Sequence, residues 1–409
     1  MNIPRRPYLI PEKFFLLEVV PLQDPYLLVF VGNPTQYHSP IFRKLSEKLN
    51  GRVQIMYGDE IGARPFFNPE LNAVIDWDVP VLEGFPYKFF YNSASSDSKG
   101  FWSRNNPGLI KHVLRSPAKY VLIHGYDTLS SWYVYFAAKL SGKKIIWRGE
   151  TVAKPGSKNS WASFIKGLIL PLYFRGVYKV LWSCLNNRDY LATFLRRQSE
   201  KLVRFPCAVD NDFFRGFRLD EQGVKASRHK HNIAEDHIII ATCSRLTKRK
   251  RTHLILDAMA KMSTKKVTLL IIGDGPERLA LEEQAKRLNI SVRIFGFVGQ
   301  IEVAKLLAIS DIFALLSFYD ASPKALNEAM NFPLAMIASS GIGTARDLVR
   351  MGENGYIFNA GQENDLISWL DNWANDINCC RSNGSMNEKI LEEYTIEEDV
   401  NNLLSIIDV

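Results

Sequence analysis

From residue 237 onward, short runs of β-branched and aliphatic residues alternate with stretches of helical apolar spacing, and few folds accept that pattern. The run 237–243 has no alternating polar face, as a strand buried on both sides requires. Leu254, Ile255, Ala258, Met259 and Met262 then follow the spacing of one helix face. Further strands are predicted over 267–272, 292–295, 312–316 and 334–338. Helices are predicted around Leu281, Ala285 and Leu288, over 303–309, around Glu328 and near 344–350. Strands separated by helices need crossover connections, so the sheet is parallel and doubly wound, an α/β fold. Ligands of such sheets sit beyond the carboxyl ends of the strands.

The first half alternates in the same way with longer insertions. Strands are predicted over 26–31, 52–57, 120–123 and 143–147, and helices over 39–48 and 129–140. A Ser- and Asn-rich stretch, 91–106, reads as a loop. The stretch 161–178 reads as a basic, apolar helix or pair of helices. Its segment 166–179 suits either an in-plane membrane helix or a domain-surface helix. At 409 residues the chain exceeds what one core sustains, which implies two domains. The charge-rich stretch 210–232 reads as the linker. Residues 1–212 then form the first domain and 213–389 the second.

Composition narrows the function. The hydrophobic fraction is 46%, enough for sizeable cores. Five cysteines without CxxC spacing argue against a zinc site or a disulfide framework, and Cys379-Cys380 reads as two free thiols. No run approaches the ~18 apolar residues of a membrane span. The first thirty residues carry charges throughout, so no clean signal-peptide core is expected and a cytoplasmic setting is. The net charge of +8 suits phosphorylated substrates, lipid diphosphates or an anionic membrane. Nucleic acid is not expected, because zinc-finger spacing and RNP-like aromatics are missing.

Four strand-end features carry candidate chemistry. After 237–243 comes Ser244-Arg245-Leu246-Thr247-Lys248-Arg249-Lys250-Arg251, where Arg245 and Lys250 could meet a diphosphate. Alone, such a run reads as a solvated basic segment, but the helix that follows at once makes it a βα loop. Asp320 and Glu328 flank the start of a helix near Pro323, where the amides of Lys324 and Ala325 would face a phosphate. One carboxylate would then serve a hexose and the other a ribose, although a surface aspartate and a solvated glutamate fit the same spacing. Gly32 and Asn33 lie in the loop after the first strand, where backbone can approach a phosphate or sugar closely. The loop has one glycine, so the dinucleotide fingerprint is missing and NAD or FAD chemistry is not expected. His124, at another strand end, could bind a sugar hydroxyl, support charge at a reacting carbon, or merely cap the core. The aromatics Trp132, Tyr133, Tyr135 and Phe136 read as core packing rather than a stacking platform.

Taken together, these segments resemble a retaining glycosyltransferase of family 4, bacterial polysaccharide branch, with the GT-B fold. Cys243-Ser244-Arg245-Leu246 with Lys250 resembles the family's Gly-Arg-Leu…Lys element. Ile272-Gly273-Asp274-Gly275-Pro276 resembles its Gly-Asp-Gly-Pro turn, and Asp320 to Glu328 its Glu-x7-Glu motif. Gly32–Pro40, Trp77–Gly84, Trp147-Arg148-Gly149-Glu150 and Ala208–Phe214 are similar to further elements of that branch. The resemblance implies two Rossmann-like, doubly wound parallel-sheet domains facing a central cleft, with the last helix, 390–409, crossing back to the first domain. It implies transfer of a hexose from a nucleoside-diphosphate sugar to a glycan or lipid-linked acceptor, with retained configuration, no cofactor and no metal. The setting implied is cytoplasmic or peripheral on the inner membrane face, in polysaccharide synthesis. By resemblance, Arg245 and Lys250 bind diphosphate, Glu328 the ribose and Asp320 the transferred sugar. Gly273, Phe297 and Val298 border the nucleotide, His124 is the active-site histidine, and Arg148 and Glu150 stand on the acceptor side. A sugar-nucleotide epimerase on a similar two-domain scaffold is the rival enzyme reading; Asp320 replaces the usual Glu and Pro323 a common Gly, which keeps open a non-catalytic nucleotide- or sugar-binding protein.

Overall fold

The computed structural model describes residues 24–68, 73–95, 98–156, 161–206 and 208–408. The first domain holds β1 (Leu27–Val31), β2 (Val53–Tyr57), β3 (Phe66–Asn68), β4 (Ala73–Ile75) and β5 (Tyr87–Phe89). It continues with β6 (Tyr120–His124), β7 (Lys144–Arg148), β8 (Lys179–Trp182) and β9 (Leu202–Arg204). Seven of these form one sheet in the order β5-β2-β1-β6-β7-β8-β9, and β3 pairs with β4 as a separate antiparallel hairpin. The second domain holds β10 (Ile238–Cys243), β11 (Val267–Ile272), β12 (Ser291–Gly296), β13 (Ile312–Leu315), β14 (Ala335–Ser339) and β15 (Gly355–Phe358). Its sheet runs β12-β11-β10-β13-β14-β15. Every pairing within the two large sheets is parallel.

Both orders reverse beside the first strand of the domain, at β1/β6 and at β10/β13. A crevice opens there because the flanking helices lie on opposite faces. β1, β2, β11 and β14 are buried along their whole length, which explains their largely apolar sequences, broken only by Gln54, Thr268 and Ser339.

The stretch 210–232, read from its charge as a linker, is largely helical. Asp210 accepts from the Phe213 amide and starts the helix Asn211–Arg215, and Asp220 accepts from the Gly223 amide and starts Glu221–Lys230. Phe214 is buried in the second domain's core. Arg228 donates to the Ile309 carbonyl and pairs with Asp311 at 2.7 Å, so the charges anchor the segment. At the other end, the helix Ile396–Leu404 buries Val400 and Leu403 in the first domain's core. Lys44 and Lys48 both pair with Glu397 on this helix.

The aromatic cluster on the helix Leu129–Leu140 divides. Trp132 and Tyr135 pack on Tyr173 of the helix Trp161–Arg175, with the Tyr135 ring stacked at 4.3 Å, whereas Phe136 faces solvent. No described helix is long and apolar enough to cross a membrane.

Candidate active site

The ends of β10 and β11 are laced together. The Ser244 amide donates to Ile272 O at 3.0 Å, and the Leu246 amide to Asp274 O at 2.8 Å. The backbones come so close that a Cβ on Gly273 would fall 2.0 Å from Ser244 O. Gly273 also sits at φ +142°, so both space and conformation require glycine there. This fixes the loop carrying Arg245 and Lys250 over the sheet's switch point.

A cavity of about 290 Å³ opens above it. Arg245, Lys250, Gly273, Phe297, Val298, Lys324, Ala325 and Glu328 all line it, so eight of the candidate residues share one space. The first domain closes the other side with Gln36, Tyr37 and Trp77. Sequence reading placed all three inside notable motifs but assigned them no contact. Gly32 and Asn33, singled out from the same loop, are not among the lining residues. The Arg104 guanidinium lies across Gly32 and donates to Asn33 Oδ1 at 2.9 Å, which turns them toward the first domain.

Glu328 lies on the six-residue helix Lys324–Ala329 and is 3% exposed. Its Oε1 is buried with no hydrogen-bond partner among the described residues. Burial pushes its carboxyl up to about 7, against the opposing pull of Tyr37, Gln300 and the Lys324 charge. Asp320 does not end a strand, because β13 stops at Leu315. A backbone bridge to the 341–343 segment holds it instead, with its amide donating to Gly341 O and its carbonyl accepting from Gly343 N. Its carboxylate forms an ion pair with Lys250.

A second chamber of about 550 Å³ adjoins, lined by His38, His124, Tyr126, Arg148, Glu150 and Lys166 among others. His38 and His124 meet edge to face, 5.0 Å between centroids. Burial, then the nearby Arg148 charge, lowers His38 to about 3 and holds His124 well below the usual imidazole range. Both environments favour the neutral ring, and His124 Nε2 and His38 Nδ1 are buried without partners among the described residues. A neutral ring in that position can hold a hydroxyl but supplies no fixed positive charge. His38, which sequence reading did not single out, joins the site through the same loop as Gln36 and Tyr37. Arg148 pairs with Glu150 at 3.2 Å, and Glu150 reaches across the cleft to Lys324 at 3.3 Å. That chain of charges links the two chambers.

The domains also cap one another's helices. The helix Gln300–Ala308 begins after Gly299, and Asp78 of the first domain accepts from the amides of Gln300 (2.9 Å) and Ile301 (2.8 Å). The helix Leu185–Leu195 begins after Cys184, which gives no side-chain cap, and Asp347 of the second domain accepts from the Leu185 amide at 3.0 Å. Burial raises the Asp347 carboxyl to about 6 although that amide opposes the shift. A separate hollow of about 600 Å³ lies over Arg228 and Asp311 and contains none of the candidate residues.

Two Rossmann-like parallel-sheet domains facing across such a cleft define the GT-B fold. Residues 224–387 match the family model described as glycosyl transferases group 1. N-acetyl-alpha-D-glucosaminyl L-malate synthase of Bacillus anthracis is 29% identical over 175 residues, 42% of this chain but only 46% of that protein. A Campylobacter jejuni alpha-1,4-N-acetyl-D-galactosaminyltransferase, named for a diNAcBac-PP-undecaprenol-linked glycan, is 26% identical over 304 residues, covering 73% and 76%. Among solved structures, Anabaena Alr3699/HepE in complex with UDP and glucose superposes with a TM-score of 0.70 at 16% identity, covering 93% of this chain and 98% of that one. The structural likeness carries the fold, and the sequence matches support a glycosyltransferase.

Proposed function

We propose that the chain transfers a hexose from a nucleoside-diphosphate sugar, UDP-linked in the first instance, to a hydroxyl of a glycan or lipid-linked acceptor in polysaccharide or glycoconjugate synthesis. The observation that carries the reading is the buried, unpartnered Glu328 oxygen in a cavity that also presents Arg245 and Lys250. A buried carboxylate with one unpartnered oxygen, in a cavity with two cations, suits a ligand with hydroxyls at one end and phosphates at the other. Glu328 would take the ribose hydroxyls, the Phe297-Val298 backbone the base, and Arg245 and Lys250 the diphosphate. The bound UDP of the Anabaena structure and the undecaprenol-linked glycan in the Campylobacter name favour these partners.

The transferred sugar would lie between the chambers, where Asp320, Glu150 and Lys324 converge, with the acceptor hydroxyl on the His124 side. The anomeric carbon–oxygen bond to the diphosphate breaks, and the acceptor oxygen bonds on the same face. Its proton passes to the departing phosphate oxygen, so configuration is retained without a separate base. In this scheme Arg245 and Lys250 meet the leaving charge, and no metal is assigned to that role.

A thermal-shift panel of UDP, GDP, ADP and UDP-sugars tests the donor site. A ligand at about a hundred times its Kd adds about 2.7 kcal/mol to stability. A shift with one base, lost in Glu328→Gln and in Arg245→Ala, supports the site as drawn. No shift with any nucleotide in folded protein overturns it.

A further inference from the structure

The helix Trp161–Arg175 is apolar on two opposite faces. Leu170, Tyr173 and Phe174 are buried in the first domain's core. Ile165, Leu168, Ile169 and Leu172 repeat at one-turn spacing on the outside, with Leu168 59% and Leu172 66% exposed. A helix apolar all round is covered on every side in a folded protein, or lies in a membrane. The neighbouring helix Leu129–Leu140 extends the surface with exposed Phe136 and Leu140, one turn apart. The two helices are held side by side by the Tyr135–Tyr173 stack and by the Tyr135 hydroxyl donating to Tyr173 O at 2.9 Å. Their exposed apolar side chains thus lie on adjoining helices, as a docking face requires.

Charge indicates what covers it. Between residues 129 and 187 the sequence has nine lysines and arginines and a single carboxylate, Glu150. Glu150 is occupied inside the second chamber by Arg148 and Lys324. Lys166 and Arg175 lie on the apolar helix itself and are exposed, and Lys139 lies beside Leu140. The only charged residues on the two helices, Lys139, Lys166 and Arg175, are basic, and an apolar face with such charges complements anionic headgroups above acyl chains. The face also adjoins the chemistry, because Lys166 lines the wall of the second chamber.

We propose that the outer face of the helices Leu129–Leu140 and Trp161–Arg175 docks on an anionic phospholipid bilayer. The inference deepens the functional reading, and rests on it only in that a lipid-linked acceptor would then reach the second chamber from the membrane. The surface is tested without any acceptor. Purified full-length protein is mixed with phosphatidylglycerol–phosphatidylcholine vesicles or with phosphatidylcholine vesicles alone, and bound protein is measured by flotation. Binding to the anionic vesicles is expected, weaker at high salt because headgroup attraction is screened. Leu168→Ser and Leu172→Ser should each weaken it roughly tenfold, since each removes one inserted side chain. Phe136→Ser, on the other helix, should act in the same direction. Vesicle binding equal in wild type and all three variants, or none in wild type, overturns the proposal. So does a wild-type dimer that Leu168→Ser makes monomeric, because a second copy would then cover the face. The nucleotide-induced thermal shift, run on the same samples, reports the donor site independently. A shift that survives where vesicle binding fails leaves the functional reading standing.

Discussion

Replacing Glu328 with glutamine should stabilise the protein while abolishing its response to nucleotide. The carboxyl is buried, and burial raises it from 4.5 to about 7. An acid whose folded-state value is raised carries no penalty when both states are protonated. As pH climbs past the unfolded value, the unfolded chain releases its proton first and stability falls until the folded value is passed. At about 1.4 kcal/mol per pH unit, that interval costs about 3 kcal/mol near neutrality and above. Glu328→Gln keeps the side chain's shape and removes the charge. It should therefore gain about 2–3 kcal/mol at about pH 8, shrinking to under about 1 kcal/mol at about pH 5. For a domain of this size the alkaline gain amounts to roughly 5–10 °C in Tm. Urea melts across that pH range measure it, and a parallel titration with UDP measures the loss of binding. If the variant is no more stable than wild type at alkaline pH, or its advantage does not shrink on acidification, the burial argument is wrong. If it gains stability yet binds UDP as wild type does, the carboxylate is not a ligand contact and the donor site as drawn fails.

Three other outcomes are accessible. Lys250→Met should weaken UDP binding by roughly ten- to a hundredfold, the range for one hydrogen bond to a charged group, read by calorimetry. Unchanged affinity would remove Lys250 from the diphosphate site. Gly273→Ala should destabilise the second domain by more than about 2 kcal/mol, because its Cβ would meet Ser244 O and glycine's backbone conformation would be lost. A melt within error of wild type would refute that. Asp78→Ala should cost about 1 kcal/mol, the usual cost of losing a helix cap, and should enlarge the radius of gyration in X-ray scattering as the domains part. An unchanged scattering profile would show that the cap does not hold the cleft closed.

The second domain's framework was readable because β10, β11, β13 and β14 are apolar on both faces and evenly separated by helices. β8, β9 and β15 escaped notice because three or four residues give too little pattern. Charged ends, as at Lys179 and Arg204, disguise it further. The stretch 210–232 misled because charge density resembles a linker, whereas Asp210 and Asp220 were acting as caps and Arg228 as a buried anchor. In the candidate site, the second domain's residues come together in one cavity because their motifs lie at strand ends of one sheet. Gln36, Tyr37 and Trp77 were not assigned, because their place at the second domain's cavity depends on how two domains meet, which no local spacing encodes. Gly32 and Asn33 show the converse. They occupy the right loop, but Arg104, some seventy positions on, claims their face.

The exchange of caps between domains bears on how often the cleft can open. Asp78 and Asp347 each satisfy helix amides of the opposite domain, so these closing contacts are made by charge against backbone rather than by interlocked apolar side chains. On separation, water can take each carboxylate's place at the helix end, and the carboxylates are rehydrated at the same time. Each cap thus trades one set of hydrogen bonds for another of similar strength. The joint behaves more like a wetted bearing than a glued seam, which suits a cleft that must admit one bulky substrate and release another on every cycle.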